Sequence, residues 1–376
     1  MRLDRWHDLD LTDRQVATVA LDVSRQGPEG NHEIELRWRA ARTELLESGA
    51  PKGLVDLLEP VAVRRDRRAG ENGRFLIGSV GSDGDARVDL DVSLPEAPDR
   101  ERIVWADVPD LLPLLRCGQK YPTYVTVEAD RAGADITAYS SFDETPARTT
   151  VDGDHDVLHK VPGGASSQQR LQRRAVDSWE RNADEVAAEL DDLVRRVRPT
   201  AVLVAGDDRA LGALRGSVSD LVRGRSRLLS SGGRAAGTSE EAFAEDVRRH
   251  LDAVIDADIE ACMDRFREQD GRQERAVQGR SAVLDSLGRG QVDTLLLVDP
   301  PVNARTSAEA AALALRTDAQ VCLLPDGDEL ADGIAAVLRW SDSETQHDSA
   351  PSMPGHGERP GWAGREGKTS DFANEP

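Results

Sequence analysis

Few of the residues that build compact reactive sites are present. Cysteine occurs three times, at Cys117, Cys262 and Cys322, far apart in the chain. Zinc knuckles and thioredoxin-type motifs need close pairs, so spacing excludes both, and three reduced, buried thiols are expected. Lysine occurs only at Lys52, Lys120, Lys160 and Lys368, a scarcity read as coding bias rather than chemistry. No run of about 18 apolar residues is there to span a bilayer, and Met1 to Asp10 is charged where a signal peptide would be apolar. The expected placement is cytoplasmic, without a membrane partner. Neither a G-x-x-x-x-G-K-S/T loop nor a G-x-G-x-x-G fingerprint occurs, so nucleotide binding has no motif support and no cofactor is expected.

What the chain has in excess is acid. Its 48 Lys+Arg against 69 Asp+Glu leave a formal charge of -21. Most of such a surface repels phosphate, which argues against DNA and against broad nucleic-acid binding, yet leaves room for one local basic patch. A length of 376 residues with 39% hydrophobic residues supports two or three globular units, each with its own core.

An apolar run from Val16 to Val23 reads as a buried strand, followed by helical patterns over Asn31 to Glu47 and Gly53 to Arg65. Strands at Arg74 to Val80 and Arg87 to Val92 flank the turn residues Gly81 to Gly84. A mixed α/β unit is therefore expected over 1–115. A second unit, 116–225, starts with a hairpin of Thr123 to Glu128 and Ala134 to Tyr139 and continues as polar loop from Ser140 to Ser166. It then carries the longest helical pattern, Ser167 to Val197, before a strand at Ala201 to Ala205.

Gly224 to Gly237 is rich in Gly, Ser and Arg and reads as a boundary. Thr238 and Glu241 have capping-box spacing for a helix towards Gln269. Beyond it the pattern predicts helix at Ala276 to Leu287, strand at Val292 to Val298, helix at Ser307 to Leu315, strand at Gln320 to Leu324 and helix at Glu329 to Trp340. This alternation predicts a compact α/β unit over 226–340. Residues 341–376 are polar and rich in Gly, Pro and Ser, and are expected to be a disordered tail.

The stretch that could carry chemistry is HKVPGGASSQQRLQRR, from His159 to Arg174. Gly163 and Gly164 follow a proline and are free to adopt backbone angles closed to other residues, so a mobile or tightly turned loop is expected. Ser166 and Gln169 have capping-box spacing, which would start the helix there. Leu171, Ala175, Trp179, Val186 and Leu190 share one helix face, and Arg170, Arg174 and Arg181 project from the opposite face. A glycine loop on a helix N-terminus flanked by His159, Lys160, Arg170, Arg173 and Arg174 is a docking site for phosphates. The alternative is a surface loop above a solvated arginine face, the usual arrangement in amphipathic helices.

Two lesser motifs have other readings. His155 and His159 are four apart among Asp152, Asp154 and Asp156, a metal spacing if helical, but Gly153 and Pro162 favour polar loop and no metal is assigned. Asp207-Asp208-Arg209 at a strand end reads as a helix cap in preference to an acidic catalytic cluster.

The segment GGASSQQRLQRR resembles the loop and helix in the central domain of the archaeal and eukaryotic peptide chain release factor subunit 1 family, which includes Pelota and bacterial relatives. Where the family carries Gly-Gly-Gln, this chain has Gly163, Gly164 and Ala165, with Gln168 and Gln169 three and four places late. Val277 to Leu297 is similar to the family's third domain, and Asp332 to Trp340 to its closing helix; the likeness covers Tyr121 to Trp340. The first unit carries neither the family's codon-reading motifs nor a Pelota-type barrel pattern.

The resemblance implies a three-domain release-factor-like α/β architecture with a central sheet-and-helix domain. It also implies a ribosome partner and leaves open delivery by an elongation-factor GTPase. In the family, Gly-Gly-Gln places a water against the ester joining peptide to tRNA, and a backbone amide beside it stabilises the oxyanion. Ala165 keeps an amide and lacks the side chain. The expected role is a non-catalytic hibernation or protection factor in the A site, as in the Balon-like, actinobacterial branch. Gly163, Gly164 and Ala165 would then sit at the peptidyl-transferase centre, and Arg170, Arg173, Arg174 and Arg181 on RNA. One alternative is a peptidyl-tRNA hydrolase in which Gln168 or Gln169 supplies the missing group. The other is a stress-linked scaffold that binds protein partners through its acidic surface.

Overall fold

The computed structural model describes residues 4–6, 8–25, 30–64, 72–130, 132–143, 145–152, 165–234, 239–326, 330–342, 344 and 345, with 4, 152 and 165–180 described at backbone level only. Among the described residues the fold is α/β, built on three sheets.

In the first part, β1 (Arg14–Asp22) is followed by α1 (Gly30–Glu47), α2 (Lys52–Ala62), β2 (Gly73–Gly81), β3 (Ala86–Leu94), β4 (Arg102–Ala106) and α3 (Leu112–Lys120). The sheet order is β3-β2-β1-β4, antiparallel throughout. Strand β1 is apolar on both faces because both are covered. Ala17, Val19 and Leu21 pack on Ile34, Trp38 and Leu45 of α1 and on Leu54 and Leu58 of α2. Val16 and Ala20, one register position away, pack on the other side with α3 and the third part of the chain. Neither β4 nor α3 was expected from the sequence.

The middle sheet has the order β7-β6-β5-β8-β9. It contains β5 (Tyr124–Ala129), β6 (Gly133–Tyr139), β7 (Ala147–Asp152), α4 (Ala165–Val197), β8 (Ala201–Gly206), α5 (Asp208–Ser217), α6 (Asp220–Arg225) and β9 (Ser226–Leu228). Strands β5, β8 and β9 are parallel, and β6 and β7 extend the sheet antiparallel. Val186, Leu190 and Val194 of α4 cover one face together with Leu214 of α5 and Val222 of α6. The polar stretch expected as loop contains β7, whose Thr149, Thr150 and Val151 suit an edge strand.

Next comes α7 (Glu240–Gly271), 32 residues or about 48 Å long at 1.5 Å per residue. Its cap is Ser239, whose hydroxyl accepts from the Ala242 amide at 3.2 Å, one place later than the Thr238 spacing suggests. The first half of α7 packs Phe243, Val247 and Leu251 under Ala201, Leu203 and Ala205 of β8. The second half packs Met263 and Phe266 on the third sheet.

That sheet, β10-β13-β11-β12, is formed by β10 (Ala276–Gln278), β11 (Val292–Asp299), β12 (Gln320–Pro325) and β13 (Ile334–Leu338), with α8 (Arg280–Gly288) and α9 (Ala304–Arg316) on the face away from α7. Two expectations are corrected by it. Ala276 to Leu287 is strand then helix, split at Gly279, whose φ of 84° ends β10. Glu329 to Trp340, expected as a helix, with Asp332 to Trp340 likened to the family's closing helix, holds β13 instead. Ile334, Ala336 and Leu338 face α8 and α9 while Ala335 and Val337 face α7, the period of two that an unbroken apolar run conceals. Asp332 and Gly333, at φ 56° and 71°, bar a helix from reaching back across them.

The first and third sheets share a core that includes Val16, Phe75, Ile77, Leu114, Leu295, Leu297 and Leu315. Two polar clasps close its edge. Arg116 grips Asp299 with two bonds of 2.6 and 2.8 Å. The Gln119 amide donates to the Leu323 carbonyl at 2.7 Å and accepts from the Leu323 amide at 2.8 Å, which satisfies part of the free edge of β12. At the start of the expected tail, Thr345 is buried and its hydroxyl accepts from the Asp342 amide at 3.0 Å.

One carboxylate fixes how α7 meets the middle sheet. Asp246 is fully buried and accepts from the Ser230 amide at 2.6 Å, the Ser230 hydroxyl at 2.8 Å and the Ser231 amide at 2.9 Å. Burial pushes its pKa up, but the donors of Ser230 and Ser231 outweigh that and hold it below the ordinary 3.8. Its contribution to stability is present above the ordinary value and is lost as pH falls through the lower folded value. Asp246→Ala should cost about 1–3 kcal/mol for each donor left buried without a partner, measured by chemical denaturation at pH 7. Asp246→Asn should flatten the acid limb of the stability curve below pH 4.

Candidate functional site

His159, Lys160, Gly163 and Gly164 lie outside the described residues, as do His155 and the rest of the loop before α4. The helix begins at Ala165, so Ser166 falls inside the first turn and is not the N-cap that its spacing with Gln169 suggested. Gln168, Gln169, Arg170, Arg173 and Arg174 occupy the first three turns of α4 at backbone level. Arg181 is exposed. Among the described side chains, burial of α4 starts at Asn182 and Ala183 and continues through Val194. The anchored half of this 33-residue helix therefore lies in the core on the middle sheet and the loop-bearing end precedes it.

Of the two lesser motifs, Asp207 is a cap. Its carboxylate accepts from the Arg209 amide at 3.0 Å and the Ala210 amide at 3.3 Å, as the acidic start of α5 requires. Among the described residues no group of three or more His, Cys, Asp or Glu side chains is placed to hold a metal.

A second site was not read from the sequence. A cleft of about 1190 Å³ opens where the middle and third sheets face each other along the middle of α7. It is lined by seven arginines, Arg5, Arg195, Arg196, Arg198, Arg225, Arg227 and Arg265, against two carboxylates, Asp143 and Asp258. In a chain of charge -21 this is a local reversal of sign.

The arginines meet for local reasons. Arg195 and Arg196 occupy the last turn of α4, where cations complement the helix dipole, and Pro199 ends the segment. Arg198 takes a left-handed φ of 46° just past that helix, with its amide donating to the Val194 carbonyl at 2.9 Å. Arg225 ends α6 and Arg227 lies in β9, which pairs in parallel with β8 and so returns the chain beside the end of α4.

Some of this charge is already matched. Arg5 pairs with Asp143 at 2.7 Å and Arg265 with Asp293 at 3.1 Å. The guanidinium of Arg227 donates to the Gly224 and Ser226 carbonyls. Burial pushes the Asp258 carboxyl up, while Arg227 and Arg225 pull it down. The signal available in the sequence was two short arginine runs, 195–198 and 223–227, that look like ordinary helix endings until β8 brings them together.

The floor of the cleft corrects the reading of the cysteines. Cys117 and Cys322 are buried, but Cys262 is only partly so. Cys262 of α7 and Cys322 of β12, 60 positions apart, pack in the one cluster where α7 meets the third sheet, and both line the cleft. Burial pushes Cys322 up after the larger effect of the neighbouring Cys262 thiol.

The family described as bacterial archaeo-eukaryotic release factor family 2 matches residues 123–272, from the start of the middle sheet to the end of α7. The uncharacterized proteins Rv2629 and MT2704 of Mycobacterium tuberculosis are each 30% identical over 305 residues, which cover 79% of this chain and 78% of theirs. Among solved structures, ribosome-bound archaeal Pelota is 12% identical, with 90% of this chain and 94% of that one covered at a TM-score of 0.40. Dom34 of S. cerevisiae, a translation termination-like factor, is 12% identical, with 73% and 82% covered at a TM-score of 0.39. The chain belongs to the bacterial branch of the archaeo-eukaryotic release factor family.

Proposed function

We propose that the protein binds the ribosome as a non-catalytic hibernation or protection factor, with the loop of Gly163, Gly164 and Ala165 directed to the peptidyl-transferase centre. The observation that carries this reading is Ala165. Within the segment matched by the release factor family, the loop that resembles Gly-Gly-Gln ends in a residue with no side-chain amide, and that residue is already the first of α4. Hydrolysis of peptidyl-tRNA needs a water held against the ester and a stabilised oxyanion. A backbone amide serves the second need, and a methyl group cannot serve the first.

Gln168 and Gln169 are three and four residues into the helix, so they sit one turn further along it than Ala165. Occupancy without chemistry is what such an arrangement provides. Peptide release from loaded ribosomes should therefore stay at background with the native chain. Release that disappears in the Gln168→Ala, Gln169→Ala double variant would replace occupancy with hydrolysis.

An acidic chain that binds RNA needs its positive charge gathered in one place. Two sets of arginines support the reading: Arg170, Arg173, Arg174 and Arg181 on α4, with His159 and Lys160 before it, and the arginines of the cleft at the other end of the same helix. An elongation-factor GTPase as delivery partner belongs to the same proposal.

Co-sedimentation with idle 70S ribosomes over a salt series tests it. Salt-sensitive, stoichiometric pelleting is expected, and no pelleting of folded protein at low salt, with or without an elongation-factor GTPase, would overturn it. Replacing Arg195, Arg196, Arg225 and Arg227 by alanine should reduce the slope of log K against log salt by about 0.7–0.9 for each phosphate that these side chains neutralise. An unchanged slope would remove the cleft from the interface.

A further inference from the structure

The thiol pair at the floor of the cleft lies outside everything the ribosome reading uses. We propose that Cys262 and Cys322 form an oxidant-responsive dithiol, in which a hydroperoxide oxidises Cys262 and Cys322 resolves it to an intramolecular disulfide joining α7 to β12. Three observations carry this. The two side chains pack in one cluster although they belong to different elements. Both open onto a cleft wide enough to admit a small peroxide. And they are unequal in exposure: Cys262 is partly exposed, while Cys322 lies behind it in the core formed by Met263, Phe266 and Leu296.

The same proximity separates their chemistry. The neighbouring Cys322 thiol, with help from Arg265 one turn along α7, lowers the Cys262 pKa to about 7 against the opposing effect of burial. Cys322 is pushed up and keeps its proton. The thiolate is the form that attacks peroxides, so Cys262 is the entry point.

In the first step the Cys262 thiolate attacks one peroxide oxygen. The O–O bond breaks, sulfur is oxidised to sulfenic acid, and the other oxygen leaves as alcohol or water after taking up a proton. In the second step the Cys322 sulfur attacks the Cys262 sulfur. The S–S bond forms, the S–O bond breaks, and the hydroxyl leaves as water with the proton of Cys322. In sum two thiols and one hydroperoxide give a disulfide, an alcohol and water. The bond would tie the cleft-lining part of α7 to β12 and fix the distance between the cleft's walls.

The full chain, treated with a few equivalents of hydrogen peroxide, alkylated and digested, tests this directly. A linked peptide containing Cys262 and Cys322, lighter by two hydrogens than the sum of its parts and lost on addition of dithiothreitol, is expected, with buried Cys117 recovered as a free thiol. Recovery of Cys262 and Cys322 unmodified, or of cross-links to Cys117 or between chains in their place, would overturn the proposal. In Cys322→Ser the oxidation should stop one step earlier, with Cys262 captured by dimedone as sulfenic acid and no linked peptide. If dimedone labelled Cys117 as readily as Cys262 in native protein, the assignment of Cys262 as the entry point would fall. Neither readout depends on ribosomes, so failure here and failure of the ribosome reading are distinguishable.

Discussion

The arrangement of the molecule depends on one rigid element serving two sheets. An uninterrupted helix cannot bend to suit two independent surfaces, so the apolar faces presented by Phe243 and Val247 at one end and by Met263 and Phe266 at the other set the relation between the middle and third sheets. The buried Asp246 carboxylate fixes the first end by gathering the amides of Ser230 and Ser231. Everything that lies between the sheets, including the arginine-lined cleft and the neighbouring thiols, is positioned by α7.

Electrostatics follows from the same geometry. A chain with this excess of acid spreads carboxylates over its surface and keeps many arginines paired with them, as in Arg42 with Asp56 and Arg102 with Asp110. The cleft departs from that rule because several of its arginines sit at the carbonyl ends of α4 and α6, where the backbone itself provides negative partial charge. Arg195 nonetheless pairs with Asp192 at 2.8 Å, and the cleft as a whole still gathers more arginines than carboxylates along its lining.

Elements with a clear period were legible in the sequence. The strands β1, β2, β5 and β11 and the helices α1, α4 and α9 were read within a few residues, because each has one polar face or a long apolar run bounded by turn residues. Strand β13 was not legible: five apolar residues buried on both sides carry no alternation, and only Asp332 and Gly333 with positive φ mark its start. Strand β10 is three residues long and was absorbed into the helix after it. Of the candidate site, the glycine loop was legible because glycines and a family likeness stand out in one dimension. The cleft and the thiol pair were not, since arginines 195 and 225 and cysteines 262 and 322 become neighbours only through sheet pairing and helix packing.

The core shared by the first and third sheets has a consequence for synthesis. Val16, Ala20, Phe75 and Ile77 precede by about two hundred residues the segment that covers them, from Val277 to Leu338, so that cover is made long after the face it covers. Until then one face of the first sheet stays wet and apolar, so the nascent chain must either tolerate that exposed surface or have it shielded by a chaperone. The clasp of Arg116 on Asp299 can close only once Asp299 has been made. Made in chain order, the middle sheet can therefore bury its core before the sheet that precedes it does.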